Sequence, residues 1–266
     1  MIVDISTYVG HWPFRKLCFN TLEGLDILAR ENDITHMAVA NLSAIFYKDV
    51  NEGNTELLEE LASYSGKTEF IPFAIVNPTY PDWEMCARKM IEKGFRGFEL
   101  CPRYHGYSLA PEMLYDQYHA VHRAAKVLEL AEELGVPVRI CASFENFRGR
   151  SDLDTPDNIK GDELYALLSK FPNVNVLVTS FNPCLAGEHF GKLIKERNNI
   201  FFDTTQGGTI DRNICRNIKN AVPEANLCLG TLSPFQYIET NLLRVVMSDL
   251  DDELILRNGA RALGIN

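Results

Sequence analysis

Short, uninterrupted apolar runs alternate with longer amphipathic stretches along the whole chain. The runs that predict strands are MIVDIS (1–6), HMAVAN (36–41), EFIPFAIV (69–76), FRGFEL (95–100), VPVRICAS (136–143), VNVLVTS (174–180), IFFDTT (200–205) and NLCLGT (226–231). Most lack an apolar-polar alternation, which is the pattern of strands covered on both faces in a parallel sheet. Between them, TLEGLDILAREN places Leu22, Leu25 and Leu28 at helical spacing, and DWEMCARKMIEKG, YHAVHRAAKVLELAEELG and GDELYALLSKFP read as further helices. Gly94 and Gly135 fall just past two of these helices, where a left-handed C-cap is expected. ETNLLRVVMSDL and DDELILRNGARALG follow the last strand as helices.

Eight strands alternating with helices predict a (β/α)8 TIM barrel, with residues 1–266 as one domain. The rival, a doubly wound open sheet, usually has fewer strands and often a glycine-rich first turn. No such turn follows the first strand here. In a barrel of this kind, chemistry gathers at the C-terminal ends of the strands. Those ends carry Ser6 and Tyr8, Asn77, Glu99 with Arg103 and His105, Cys141 with Glu145 and Arg148, Ser180, Asp203 and Thr204, and Leu232.

Composition narrows the partners. Twenty-six basic against 36 acidic side chains leave a net charge of −10. An acidic surface repels phosphate backbones and anionic lipid, so no nucleic acid and no membrane partner is expected. The N-terminus has no basic region followed by an apolar run, and no window approaches the ~18 apolar residues of a membrane span. The seven cysteines are an odd number without a CxxC pair, and Cys101, Cys141 and Cys228 sit in apolar runs. Reduced, buried thiols in a cytoplasmic protein are therefore expected. Phe14, Phe46 and Tyr47 are expected to be exposed, which would suit a homodimer.

The segments also resemble those of amidohydrolase-related proteins. IVDISTYVGHWPF is similar to their first strand, which reads Ile-Asp-x-His-x-His. GFRGFELCPRYHGYSL resembles their Gly-x-x-Gly-x-(Lys/Arg)-Leu-x-Pro segment, and AEELGVPVRICAS a strand that ends in histidine. FPNVNVLVTSFN, NIFFDTT, LCLGTLSPF and ILRNGARALGI follow in the family's order. The resemblance implies a barrel in which imidazoles and a carboxylate hold a divalent metal that activates water for hydrolysis or decarboxylation of small carboxylated or cyclic substrates.

Carried over position by position, the implied ligands are absent. The first-strand pair falls on Ser6 and Tyr8, the next two histidines on Cys141 and Ser180, and the metal-binding aspartate on Leu232. The fourth-strand Lys/Arg falls on Glu99. No metal and no cofactor are therefore expected, and the ligand is expected to be a small molecule.

The remaining polar residues support acid–base chemistry without metal, with Glu99, Glu145 and His105 as catalytic candidates. Tyr8, Asn77, Arg103, Arg148 and Asp203 are the candidates for holding substrate. Each also has a structural reading. Glu145 and Arg148 could pair with each other, Asn77 could end its strand in an Asn-Pro turn, Asp203 could accept from backbone amides, and the CPRYHGYSL loop could be a turn held by stacked aromatics. Three functions compete: a metal-independent binder of a small polar or anionic molecule with weak or no hydrolase activity, a non-catalytic scaffold or sensor, and a metal-dependent hydrolase or decarboxylase. Whether the barrel mouth is an open polar pocket or is filled by side chains separates the first two.

Overall fold

In the computed structural model, the described residues are 1–113, 120–145, 149–205, 218–247 and 250–265. Eight parallel strands follow one another around a barrel: β1 (Val3–Val9), β2 (His36–Asn41), β3 (Glu69–Val76), β4 (Gly97–Leu100), β7 (Val138–Cys141), β8 (Val176–Thr179), β9 (Ile200–Asp203) and β10 (Leu227–Cys228). Ile5 N–H donates to Leu229 O at 3.0 Å and Tyr8 N–H to Ser233 O at 2.8 Å, which brings the last strand against the first. The expected (β/α)8 architecture is the one observed. Two core layers follow from it. Outward residues such as Val39, Ala74, Leu100, Ile140 and Val178 pack under the helices, while Val3, Ile5, Ile71, Phe73, Leu177 and Phe201 fill the barrel.

The helices are α1 (Leu22–Glu31), α2 (Ser43–Phe46), α3 (Val50–Ser63), α4 (Trp83–Glu92), α5 (Arg123–Leu134), α6 (Gly161–Leu168), α7 (Gly187–Glu196), α8 (Ile238–Met247) and α9 (Asp252–Leu263). Local signals set their ends. Thr21 Oγ1 accepts from Gly24 N–H and Asp251 Oδ1 from Leu254 N–H, both at 3.0 Å. Gly135 closes α5 with φ of 66°, as its position predicted.

Several boundaries differ from the sequence reading. The helix expected from Tyr118 starts at Arg123, because Ala120–Val121 (β6) pairs antiparallel with Glu112–Met113 (β5). Tyr118 lies outside the described residues. The strand ends at Ala142–Ser143 and Thr204–Thr205 already belong to the loops. Helices α2, α3 and α7 were not anticipated; α3 opens on an Asp49 cap whose Oδ1 accepts from Asn51 N–H at 2.9 Å. Gly53 lets α3 lie close to α2, since a Cβ there would sit 2.6 Å from Ala44 Cα. Among the described residues no helix is long and apolar enough to cross a membrane. The six described cysteines are free thiols.

Candidate functional site

The middle of the barrel holds an ion pair. Glu99 and Arg139 project inward from adjacent strands, β4 and β7, and both side chains are 0% exposed. Arg139 Nε donates to Glu99 Oε2 at 2.7 Å, and Nη2 donates to the same oxygen. Its Nη1 donates to Ile5 O at 2.9 Å and Ala38 O at 2.8 Å. The guanidinium lies 4.8 Å from the Tyr8 ring centre and 5.0 Å from that of Phe73. Tyr8 Oη donates to Glu99 Oε1 at 2.7 Å, so both carboxylate oxygens are engaged. Burial opposes the Arg139 charge, but attraction to Glu99 outweighs it and the pKa is raised. Arg139 was not singled out from the sequence. The available signal was an arginine at an inward position of VRIC, level with Glu99.

Above this pair, aromatic rings fill the mouth. Trp12, 1% exposed, has ring-centre distances of 5.3 Å to Phe14, 5.4 Å to Phe46, 5.7 Å to Tyr104, 5.2 Å to Phe144 and 5.0 Å to Phe235. Tyr8 packs edge-on against Phe144 at 5.2 Å beneath them. Phe14 and Phe46 both pack into this cluster; Phe46 is exposed as expected, while Phe14 and Tyr47 are half-buried, which corrects the expectation for those two. The cavity left beside Cys141, Tyr104 and Phe144 is about 10 Å³, close to the lower limit for one water.

The sequence candidates divide between the centre and the rim. Glu145 accepts from Trp12 Nε1 at 3.0 Å and from Arg15 Nε, and Arg15 Nη2 reaches Phe235 O at 3.1 Å. Glu145 thus finds its partner in the loop after β1. The expected partner Arg148 lies outside the described residues. Arg103 pairs with Glu163 at 2.5 Å, a carboxylate of the chain itself. Burial pushes the His105 imidazole down to about 4, so it is uncharged at neutral pH. Asn77 Oδ1 accepts from Thr79 N–H at 3.1 Å, the turn that its Asn-Pro context suggested.

Two buried carboxyls lie near the strand ends. Asp4 Oδ1 accepts from Ser6 N–H at 3.0 Å and Thr231 N–H at 3.1 Å, and Oδ2 accepts from Thr231 Oγ1 at 2.5 Å. Asp203 Oδ1 accepts from Ser180 N–H at 3.0 Å and Thr205 Oγ1 at 2.7 Å. Burial pushes Asp4 up to about 7 and Asp203 up to about 6, against the hydrogen bonds that favour their charge. A carboxyl raised above its unfolded value of about 3.9 binds more protons in the folded state, so stability falls as pH rises. Melting temperature should therefore drop between about pH 4 and pH 8, and Asp4→Asn, which keeps an acceptor for the two amides, should flatten that slope. Thermal scans across this range check it, and an unchanged slope in Asp4→Asn would contradict the Asp4 assignment.

The donor set does not fit the metal that the resemblance implies. Ser6 Oγ is buried without a hydrogen-bond partner, the Tyr8 hydroxyl is committed to Glu99, and Leu232 is fully buried. Burial pushes the Cys141 thiol up to about 12, whereas metal ligation needs the thiolate. Among the described residues no three His, Cys, Asp or Glu side chains are grouped to hold a metal. Ser180 and Leu232 have a left-handed backbone, each with φ of 54°, which costs a non-glycine residue roughly 1–2 kcal/mol. Such strain gathers at functional strand ends; here the side chains placed on it are not ligands.

The amidohydrolase family profile matches residues 20–235, and the chain belongs to that family. No curated protein has a significantly similar sequence. Among solved structures, 2,6-dihydroxybenzoate decarboxylase from Rhizobium superposes with a TM-score of 0.69 at 14% identity, covering 99% of this chain and 98% of that one. A dihydroxybenzoic acid decarboxylase from Polaromonas sp. JS666, with bound manganese and the inhibitor 2-nitroresorcinol, gives a TM-score of 0.66 at 13% identity over 99% and 96% of the chains. The 5-carboxyvanillate decarboxylase of Sphingomonas paucimobilis gives 0.65 at 10% identity over 100% and 99%. At these identities the likeness is one of fold.

Proposed function

We propose that the catalytic centre of this barrel has become structural, and that the protein binds a small polar or anionic ring compound at its rim with weak or no hydrolase activity. The observation that carries the reading is the buried Glu99–Arg139–Tyr8 cluster under the aromatic plug. A guanidinium inside the barrel disfavours a second cation nearby, and the rings leave no room above it for a substrate. Outside the plug, a cleft of about 370 Å³ lies between Arg15, Phe144, Glu145, Phe235, Tyr237 and Arg244. It offers aromatic surface and cationic side chains, the chemistry that holds a carboxylated ring. Glu145 and Arg15, already paired there, are the groups this reading assigns to ligand contact. Glu99 supports the centre instead of acting as a base.

A second reading has its own support. The solved structures with this fold include decarboxylases, three of them with bound manganese, so metal-dependent decarboxylation of a small carboxylated aromatic is the competing function. One experiment separates the two. Chelator-treated protein is titrated calorimetrically with 2,6-dihydroxybenzoate, and carbon dioxide release is then measured with and without added manganese. The expected result is binding in chelator, weakened ~10-fold or more by Arg15→Ala, about 1.4 kcal/mol, with no manganese-dependent turnover. Turnover that appears with manganese and vanishes with chelator would overturn the proposal. Absence of any binding would favour the scaffold role.

A further inference from the structure

We infer that the protein carries a second ligand site outside the barrel wall, at the C-terminal end of β3 between α3 and α4, shaped for a small neutral ring bearing a hydrogen-bond-accepting oxygen. A cavity of about 120 Å³ opens there, separated from the plugged mouth by the strand itself. For scale, an apolar cavity of about 150 Å³ takes up benzene. Its floor is apolar, from the outward β3 residues Ala74 and Val76 and from Met90 of α4, and Trp83 adds an aromatic wall.

The Asn77 amide in this lining has a donor end without a partner among the described residues. Asn77 is 7% exposed. Its Oδ1 accepts from both Thr79 N–H at 3.1 Å and Thr79 Oγ1 at 2.8 Å. Only an oxygen can accept from an N–H, so the turn fixes which end of the amide is which. The Nδ2 end is left with two N–H donors and no partner among the described residues. Nδ2 does not belong to the buried polar atoms that lack a partner, so water reaches its two N–H donors, and a ligand oxygen entering the cavity would take the place of that water.

The neighbouring Asn54 shows the contrast. It is 1% exposed and spends both ends of its amide on Ile75, donating to the carbonyl at 2.9 Å and accepting from the N–H at 3.0 Å. That pair of bonds pins α3 to β3 and holds one side of the cavity in place. The rim carries one cation, Lys48, against Asp49 and Asp82, so it does not select an anion. A ring with a single carbonyl or ether oxygen matches an apolar floor and one donor amide.

The probe is cyclohexanone, which accepts a hydrogen bond and cannot donate one. Ligand-detected NMR and calorimetry on the full chain should show saturable binding. Asn77→Asp keeps the acceptor that Thr79 requires and removes the N–H donors, so binding should weaken ~10-fold or more. Ala87→Leu fills the cavity and should abolish binding, and Cys86→Leu gives a second filling variant should the first fail to fold. Added 2,6-dihydroxybenzoate should not displace the probe. No saturable binding, binding indifferent to Asn77→Asp, or displacement by the carboxylate would each overturn the inference.

Discussion

Glu99→Gln should destabilise the protein by about 3–5 kcal/mol, because it leaves the Arg139 guanidinium charged, desolvated and without its carboxylate. Both members of the pair are fully buried. In a chain of this size each kcal/mol moves the melting temperature by roughly 2–4 °C, so a loss of about 10 °C is expected. Arg139→Met should behave differently. The stranded Glu99 can take up a proton, whereas a stranded guanidinium cannot lose one. Burial already raises the Glu99 pKa with Arg139 present, and removing the guanidinium raises it further. The Arg139→Met variant should therefore regain stability as pH falls, since a carboxyl whose folded pKa is raised loses stability as pH rises through that value. Glu99→Gln should show no such recovery. The double variant Glu99→Leu/Arg139→Met should lie within ~1–2 kcal/mol of the parent, as apolar replacements of whole buried pairs often do. Thermal melts at pH 5 and pH 8 test all three. Single variants that melt within about 2 °C of the parent at pH 8 would show that the pair is not what holds the barrel centre.

This pair also marks where sequence reasoning stopped. The strand order was legible because buried parallel strands leave continuous apolar runs, and HMAVAN and EFIPFAIV even match β2 and β3 residue for residue. Glu99 was legible as a candidate, since it is an acid near the C-terminal end of a short apolar strand where the resemblance expects a Lys or Arg. Its role was not. Whether a buried acid is a base or half of an ion pair depends on what the adjacent strand places beside it, and strand register is a tertiary fact. Glu145 posed the same difficulty: its nearest cation in sequence was Arg148, but its contact comes from Arg15, 130 residues away. Helix α3 was missed because VNEGNTELLEELAS contains a glycine and five residues of low helix propensity, Val50, Asn51, Asn54, Thr55 and Ser63. Tertiary packing overrides that local preference, with Gly53 turned against α2. Trp12 lies just beyond the first strand, and nothing local marks it as the centre of the plug. The five further rings that converge on it come from the segments after five different strands, a convergence that cannot be seen along the chain.

Trp12→Ala tests whether that convergence is what closes the barrel. Removing a buried tryptophan costs about 3–5 kcal/mol, part of it for the cavity left behind. Here the loss has two components that substitution can separate. The ring packs on Phe14, Phe46, Tyr104, Phe144 and Phe235, and its Nε1 donates to Glu145 at 3.0 Å. Trp12→Phe retains most of the ring and deletes the donor, so it should cost about 1.5–3 kcal/mol, the scale of one hydrogen bond to a charged group. Glu145 keeps Arg15 in that variant and is not left unpaired. Trp12→Ala should further open an apolar space beneath the rim, large enough for a benzene-sized probe to bind and raise the melting temperature of the variant but not of the parent. Such a ligand stabilises only the state that has room for it. Equal losses in Trp12→Phe and Trp12→Ala, with no stabilisation of either by benzene, would mean that the indole hydrogen bond and not the filled mouth governs this end of the barrel. The larger loss in Trp12→Ala, with benzene uptake, would identify the plug as the reason that the interior of this barrel is closed to substrates.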